Sequence, residues 1–204
     1  MDLSRIGLSV SRETLQKLEA YRVLLQKWNQ KINLVAKSTL EQATTRHFLD
    51  SFQLLPLIPD EAENSLDLGS GGGFPGLVCA IVAAELYPKL HFTLVESDQR
   101  KCAFLRTVVR ETNCDVTILN CRIEELEPMQ ADVVTARALS TLSELLSHSH
   151  PHLSPAGKCL FLKGKNHISE VDAARKTWHF DLTAHLSITN CEAAILELKG
   201  LSRV

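Results

Sequence analysis

The sequence predicts an α/β fold, a doubly wound and mostly parallel sheet of seven strands that carries an N-terminal helical extension. Three observations predict it. Five strand-like apolar runs between residues 65 and 163 alternate with helix-like stretches, the pattern of a parallel sheet covered on both faces. The first run ends in a glycine-rich turn, Gly69-Ser-Gly-Gly-Gly-Phe-Pro-Gly76, that opens a helix. The last segment, roughly Leu182 to Lys199, holds two apolar runs with no helix between them, which implies an antiparallel hairpin at one sheet edge.

Taken in order, Ser11 caps a helix whose Leu15, Leu18, Tyr21, Leu25, Trp28 and Ile32 recur every three or four residues, one apolar stripe reaching about Val35. Trp28 continues that stripe and reads as core. A second helix starts at the capping-box arrangement Ser38-Thr-Leu-Glu41 and runs to about Leu55, where Pro56 stops it. On it Arg46, His47, Asp50 and Ser51 share a face by their spacing. Strands follow at Ser65–Leu68, His91–Glu96, Asp115–Asn120, Ala131–Ala136 and Lys158–Lys163. Helices are expected from Pro75 to about Leu86, from Asp98 to Thr112, and near 140–149 and 167–177. Residues 1–60 are thus expected to form the helical extension, packed on a core unit of residues 61–204.

With 204 residues, 45% hydrophobic and 23% charged, the chain can bury one well-formed core. No apolar run approaches the ~18 residues of a membrane helix, and Met1 to Val10 lacks a secretory apolar region. A soluble, cytoplasmic protein with no membrane partner is the expectation. Six cysteines are scattered without a C-x-x-C pair, so neither a zinc site nor a disulfide framework is indicated. His148-Ser-His-Pro-His152 has no nearby carboxylate or cysteine to complete a tetrahedral set, and no metal is assigned to it. A net charge of -2 gives no global nucleic-acid signature, so RNA contact must rest on a local patch.

The glycine turn can be read in two ways. From Gly71 it is Gly-x-Gly-x-x-Gly, a dinucleotide pattern. From Asp67 it is Asp-x-Gly-x-Gly-x-Gly, which resembles motif I of class I methyltransferases that use S-adenosylmethionine. Asp67 favours the second, because a pyrophosphate cradle has no use for a carboxylate there whereas a cationic methionine end does. Asp67, Gly69, Gly71 and Gly73 are therefore the loop's candidate cofactor contacts.

Glu96 ends the second strand, where a carboxylate accepts hydrogen bonds from ribose hydroxyls; a solvated strand-end acid is the competing reading. Asn120-Cys-Arg-Ile-Glu-Glu125 follows the third strand, with Ile123 and Glu124 placed to cover and read an adenine. Glu124 also suits a helix start. The fourth strand ends Val133-Val-Thr-Ala-Arg-Ala138, without the Asn/Asp-Pro-Pro-aromatic motif of exocyclic-amine methylation and without the Pro-Cys pair of covalent cytosine chemistry. That leaves an acceptor already nucleophilic, such as guanine N7, for which alignment is most of the catalysis. Arg137 is the candidate catalytic residue, orienting the reactants with no general base required. Lys163 and Lys165, at the end of the fifth strand, are candidates for phosphate contact, with Arg46, His47, Asp50 and Ser51 at the rim of the substrate site. His47 and Asp50 fit an interhelical pair equally well. Arg100, Lys101, Arg106 and Arg110, offset by Asp98, form either a second basic patch or a solvated face, and residues 1–60 carry two more basic than acidic residues.

Trp28-Asn29 with Asn33-Leu34, Arg46-His-Phe-Leu-Asp-Ser51, Asp67 to Gly76, Arg122-Ile-Glu-Glu125, Ala136-Arg-Ala138 and Leu162-Lys-Gly164 together resemble the RsmG (GidB, glucose-inhibited division protein B) family. The resemblance spans residues 20–165 in unbroken order. It implies a Rossmann-like class I methyltransferase that uses S-adenosylmethionine to modify N7 of a guanine in the 530 loop of 16S rRNA, at the position-527 type. Its partner would be the small ribosomal subunit or an assembly intermediate, and the enzyme a monomer. By motif, it implies cofactor contacts at Gly69, Phe74, Ile123, Glu124 and Arg137, with Glu96 at the ribose. Cys191-Glu-Ala-Ala194 departs from the family pattern where a basic residue is expected. A small-molecule methyltransferase with a helical lid, a non-catalytic nucleoside binder on the ribosome and an NAD-dependent oxidoreductase are the other readings the residues allow.

Overall fold

The computed structural model describes residues 6–204. Seven strands form one sheet in the order β3-β2-β1-β4-β5-β7-β6. They are β1 Asn64–Leu68, β2 His91–Val95, β3 Val116–Leu119, β4 Ala131–Arg137, β5 Leu153–Lys163, β6 Trp178–Leu186 and β7 Ala194–Arg203. The first five pair in parallel, and β7 runs antiparallel between β5 and β6. The final hairpin therefore lies at the sheet edge, as its two helix-free apolar runs require. Strand order reverses between β1 and β4, so the crevice beyond their C-terminal ends is the place where such a sheet binds ligands.

Helices α4 Gly76–Leu86, α5 Gln99–Thr112, α6 Leu142–Ser149 and α7 His167–Ala174 cover the two faces, and α1 Arg12–Asn29 packs over α4 and α5. Alternation along the strands divides the core. Phe92, Leu94, Val133 and Leu160 face α1, α4 and α5, while Leu66, Leu68, Val134 and Phe161 face the layer containing α6 and α7. Residues 76–83 of α4 are all buried, which suits a helix sandwiched between sheet and α1. Cys79, Cys102, Cys114 and Cys159 are buried as small core residues, and Cys191 is exposed.

Four local expectations need correction. The first helix ends at Asn29 and not near Val35, because the Asn29 carboxamide oxygen accepts from the Leu34 and Val35 amides at 2.9 Å each and turns the chain back. The second helix is not continuous. It comprises a single turn α2 Lys37–Leu40, a π-helical turn Thr44–Leu49, a short α3 Asp50–Phe52 and a 3-10 turn Leu55–Leu57 around Pro56. Nor does the Ser38–Glu41 capping box form: α2 begins after Ala36, whose carbonyl accepts from the Thr39 amide and hydroxyl, so Ser38 lies inside the turn. The basic face of α5 is also weaker than its cations suggest, since Glu111 pairs with Arg110 at 3.5 Å and Asp98 with Arg100 at 3.3 Å. Trp28 is half-buried against Phe104, with ring centroids 5.7 Å apart. Among the described residues no helix is long and apolar enough to cross a membrane.

Candidate functional site

Two cavities meet above the switch point. The first, about 440 Å³, lies between the loop after β1 and the ends of β2 and β4. Gly69, Ser70, Gly71, Gly72, Phe74, Glu96, Ile123, Glu124 and Arg137 are in its wall. The second, about 580 Å³, lies between the helical extension, the end of β5 and the loop Ser187–Ala193 of the final hairpin. They share Leu34, Arg137 and Ala138.

The loop's shape comes from glycine where the chain needs it. Gly69, Gly71 and Gly73 have φ of +66°, +58° and +88°, a region that L side chains avoid. A Cβ on Gly76 would come within 2.5 Å of the Asp67 Cβ, so only glycine lets α4 start this close to β1. Glu96 braces the loop: one carboxylate oxygen accepts from the Gly71 amide at 2.8 Å, the other from the Asp98 amide at 2.7 Å. Asn120 in turn donates to the Glu96 and Ser97 carbonyls at 2.9 and 3.0 Å. At the end of β4, Ala138 adopts φ +51°, and the Leu139 side chain that follows lies against Gly69.

Asp67 does not reach the cavity. It is wholly buried beneath the loop, where one oxygen accepts from the Thr135 hydroxyl at 2.7 Å and the other has no hydrogen-bond partner. Burial raises its carboxyl to about 6, against the hydrogen bond from Thr135 that lowers it. Strand alternation decides this: Leu66 and Leu68 face one core layer, so Asp67 points into the other, under α4. Gly73 also turns inward, toward Tyr21 and Leu77, and Gly72 takes its place in the wall.

Arg137 stands at the junction. Its side chain is 16% exposed, its guanidinium lies 5.0 Å over the Phe74 ring, and its Nη1 donates to the Arg46 carbonyl at 3.2 Å and to Asp50 Oδ2 at 3.3 Å. Burial lowers its pKa, and Asp50 offsets part of that. Phe74 stacks at 5.6 Å on Tyr21, whose hydroxyl donates to the Gly72 carbonyl. The extension thus carries a strut for the loop.

Of the substrate candidates, Arg46, His47, Asp50 and Lys163 line the second cavity. Ser51 does not: it is fully buried, its hydroxyl donates to the His47 carbonyl at 2.7 Å, and its own carbonyl accepts from the Cys79 thiol of α4. Lys165 is exposed and outside both cavities. His47 accepts or donates at Thr39 Oγ1 at 2.8 Å, and burial beside Arg137 and Arg46 lowers it to about 4, so it is a neutral imidazole near pH 7 and no cation for phosphate. Lys163 is already satisfied by Glu170 at 2.6 Å and the Ser140 carbonyl at 2.9 Å. The Glu124 side chain is 66% exposed and approaches His148 only to 4.0 Å. Sequence reasoning missed Leu34, Gly72, Leu139 and Thr189. Leu34 and Gly72 lie inside quoted motifs; Leu139 and Thr189 carry no local signal.

The family model described as "rRNA small subunit methyltransferase G" (GidB) matches residues 14–199. A relative from Cereibacter sphaeroides, named ribosomal RNA small subunit methyltransferase G, is 49% identical over 197 residues, covering 97% of this chain and 96% of the relative. One of the same name from Paramagnetospirillum magneticum is 50% identical over 194 residues, covering 95% and 92%. Among solved structures, a SAM-dependent methyltransferase from Aquifex aeolicus superposes with a TM-score of 0.59 at 12% identity, over 77% of this chain and 92% of that one, which is a likeness of fold. The architecture is that of the class I, Rossmann-like methyltransferases. With a family match along nearly its whole length, this chain belongs to the GidB family of ribosomal RNA small subunit methyltransferase G proteins.

Proposed function

We propose that this protein is a methyltransferase that uses S-adenosylmethionine to modify N7 of a guanine in 16S rRNA, the position-527 type in the 530 loop. The observation that carries the reading is the pair of joined cavities with Arg137 in their common wall. The first has the donor set for the cofactor. Glycine leaves backbone at its floor, the Glu96 oxygens keep spare acceptor capacity for a ribose diol, and Ile123 offers an apolar surface to a purine. When bound there, the cofactor supplies an electrophilic sulfonium methyl group. The chain's own residues then have to align the acceptor. Guanine N7 carries a lone pair and no proton, so no wall residue has to act as a base, which agrees with a neutral His47 and a paired Lys163. Arg137 keeps its Nε and Nη2 donors free of other partners among the described residues, enough to orient groups on either side.

The substrate side rests on the family and on the size of the second cavity, which has room for an extruded base. Mass spectrometry of 16S rRNA from a strain lacking the gene, then of its 30S particles treated with purified protein and S-adenosylmethionine, tests the whole reading. The 7-methylguanosine should vanish from that loop and return. Its persistence in the deletion strain would remove the assignment, and methylation of free metabolites instead of 30S particles would favour a small-molecule enzyme.

A further inference from the structure

The tip of the final hairpin is hydrogen-bonded to Asp50, across more than a hundred residues of sequence. Gln53 Oε1 accepts from the Ile188 amide at 2.7 Å, which fixes the orientation of its carboxamide. Its Nε2 then donates to the Asp50 carbonyl and Oδ1, each at 3.2 Å, and to Ser187 Oγ at 3.3 Å. Ser187 Oγ lies 2.9 Å from Thr189 Oγ1, and Thr189 Oγ1 lies 2.7 Å from Asp50 Oδ1. An ionised carboxylate only accepts, so the Thr189 proton points at Asp50 and the Ser187 proton must point at Thr189. Every donor in the chain Gln53, Ser187, Thr189 runs the same way and ends on Asp50, an arrangement in which each bond strengthens the next. The other Asp50 oxygen receives Arg137.

We infer that Thr189, with Ser187 and Gln53, is a positioning element: it fixes the Asp50 carboxylate, and Asp50 fixes the Arg137 guanidinium between the two cavities. The inference rests on the methyl-transfer reading of those cavities for its functional part only. Arg137 is a long side chain that would otherwise lose several rotatable bonds' freedom at each turnover. It is held on one side by the Phe74 ring and on the other by an acceptor whose own orientation the hairpin sets. Asp50 is thereby reassigned from substrate contact to support. A hairpin that merely staples the extension to the sheet would affect stability and leave the guanidinium as it is.

The test uses the full-length protein with Thr189→Val, Thr189→Ser and Asp50→Asn. In arginine-labelled protein without substrate, the Arg137 side-chain resonances, assigned by Arg137→Lys, should show slow guanidinium rotation. Thr189→Val should lose that order, Thr189→Ser restore it, and Asp50→Asn lose it most. In methylation of 30S particles, Thr189→Val should lower kcat roughly tenfold to a hundredfold, the worth of one hydrogen bond to a charged group, with KM for the cofactor held. Unchanged Arg137 order in Thr189→Val, or equal behaviour of the valine and serine variants, overturns the inference. If wild-type protein methylates no rRNA, the functional reading fails, and the resonance measurement still decides whether the hairpin orders Arg137.

Discussion

The first cavity is walled mainly by the segments that follow four neighbouring strands, β1 to β4, whereas the second is walled by residues brought from the extension, β5 and the hairpin. The loop of the first is held from below by buried groups, Glu96 on the Gly71 amide and Tyr21 on the Gly72 carbonyl. The polar residues of the second are held by one another, Asp50 by Thr189 and Lys163 by Glu170. The difference teaches where a point substitution is felt. In the first cavity, it disturbs the shape of the loop itself. In the second, it disturbs the aim of a side chain over an intact scaffold.

The comparison breaks most readily at Glu96. Replacing it by alanine removes two charge-assisted hydrogen bonds, to the Gly71 and Asp98 amides, about 4 kcal/mol in all, together with the ribose acceptor. Titration calorimetry should find S-adenosylmethionine binding weakened on the order of 100-fold, and near-parental affinity would mean that the cavity is not the cofactor site.

Two buried titrating groups, Asp67 beneath the first cavity and His47 in the wall of the second, should oppose each other. Asp67 holds its proton more tightly folded than unfolded, so between pH 3.8 and about 6 its contribution to stability falls as pH rises. His47 holds its proton less tightly folded, so between about 4 and pH 6.5 its contribution grows as pH rises. Each amounts to about 3 kcal/mol, and the parent protein should show little net slope from this pair. His152, lowered by its own burial, adds to the rising side, while Glu197, lowered to about 2 by His185, Lys158 and Lys199 against its burial, acts below pH 4.5. Urea unfolding at pH 4.5 and 6.5 should therefore show Asp67→Asn gaining stability with pH and His47→Gln losing it. Slopes identical to the parent's in both variants would mean that neither group is buried as described.

The smallest effect is expected at Tyr21→Phe, which leaves the ring stack on Phe74 and removes only the hydroxyl that donates to Gly72. A loss of about 1 kcal/mol in denaturant unfolding, with cofactor binding weakened severalfold and acceptor KM unchanged, would place the strut on the first cavity alone.

Most of the fold and the wall of the first cavity were legible in the sequence because their signals are local. Alternating apolar runs marked the strands, positive-φ glycines the turn, and the position after each strand placed Glu96, Ile123 and Arg137 at one sheet edge. Asp67 and Gly73 were misread for one reason. A motif gives the order of residues, and only the register of β1 against α4 decides which of them turn outward. The broken second helix was misread because its spacing fits an α-helix equally well, and the wide π-helical turn at Thr44–Leu49 has no propensity signal of its own.

By itself, then, the sequence determined the sheet, its glycine turn and the family, since periodicity and contiguous motifs depend on residues a few positions apart. Only the tertiary structure decided that Ser51 and Lys165 stand outside the cavities, that Lys163 is already paired, and that Asp50 answers to Thr189. Those facts depend on side chains from distant segments meeting in a shared low-dielectric space, where each polar group must find its partner or go without.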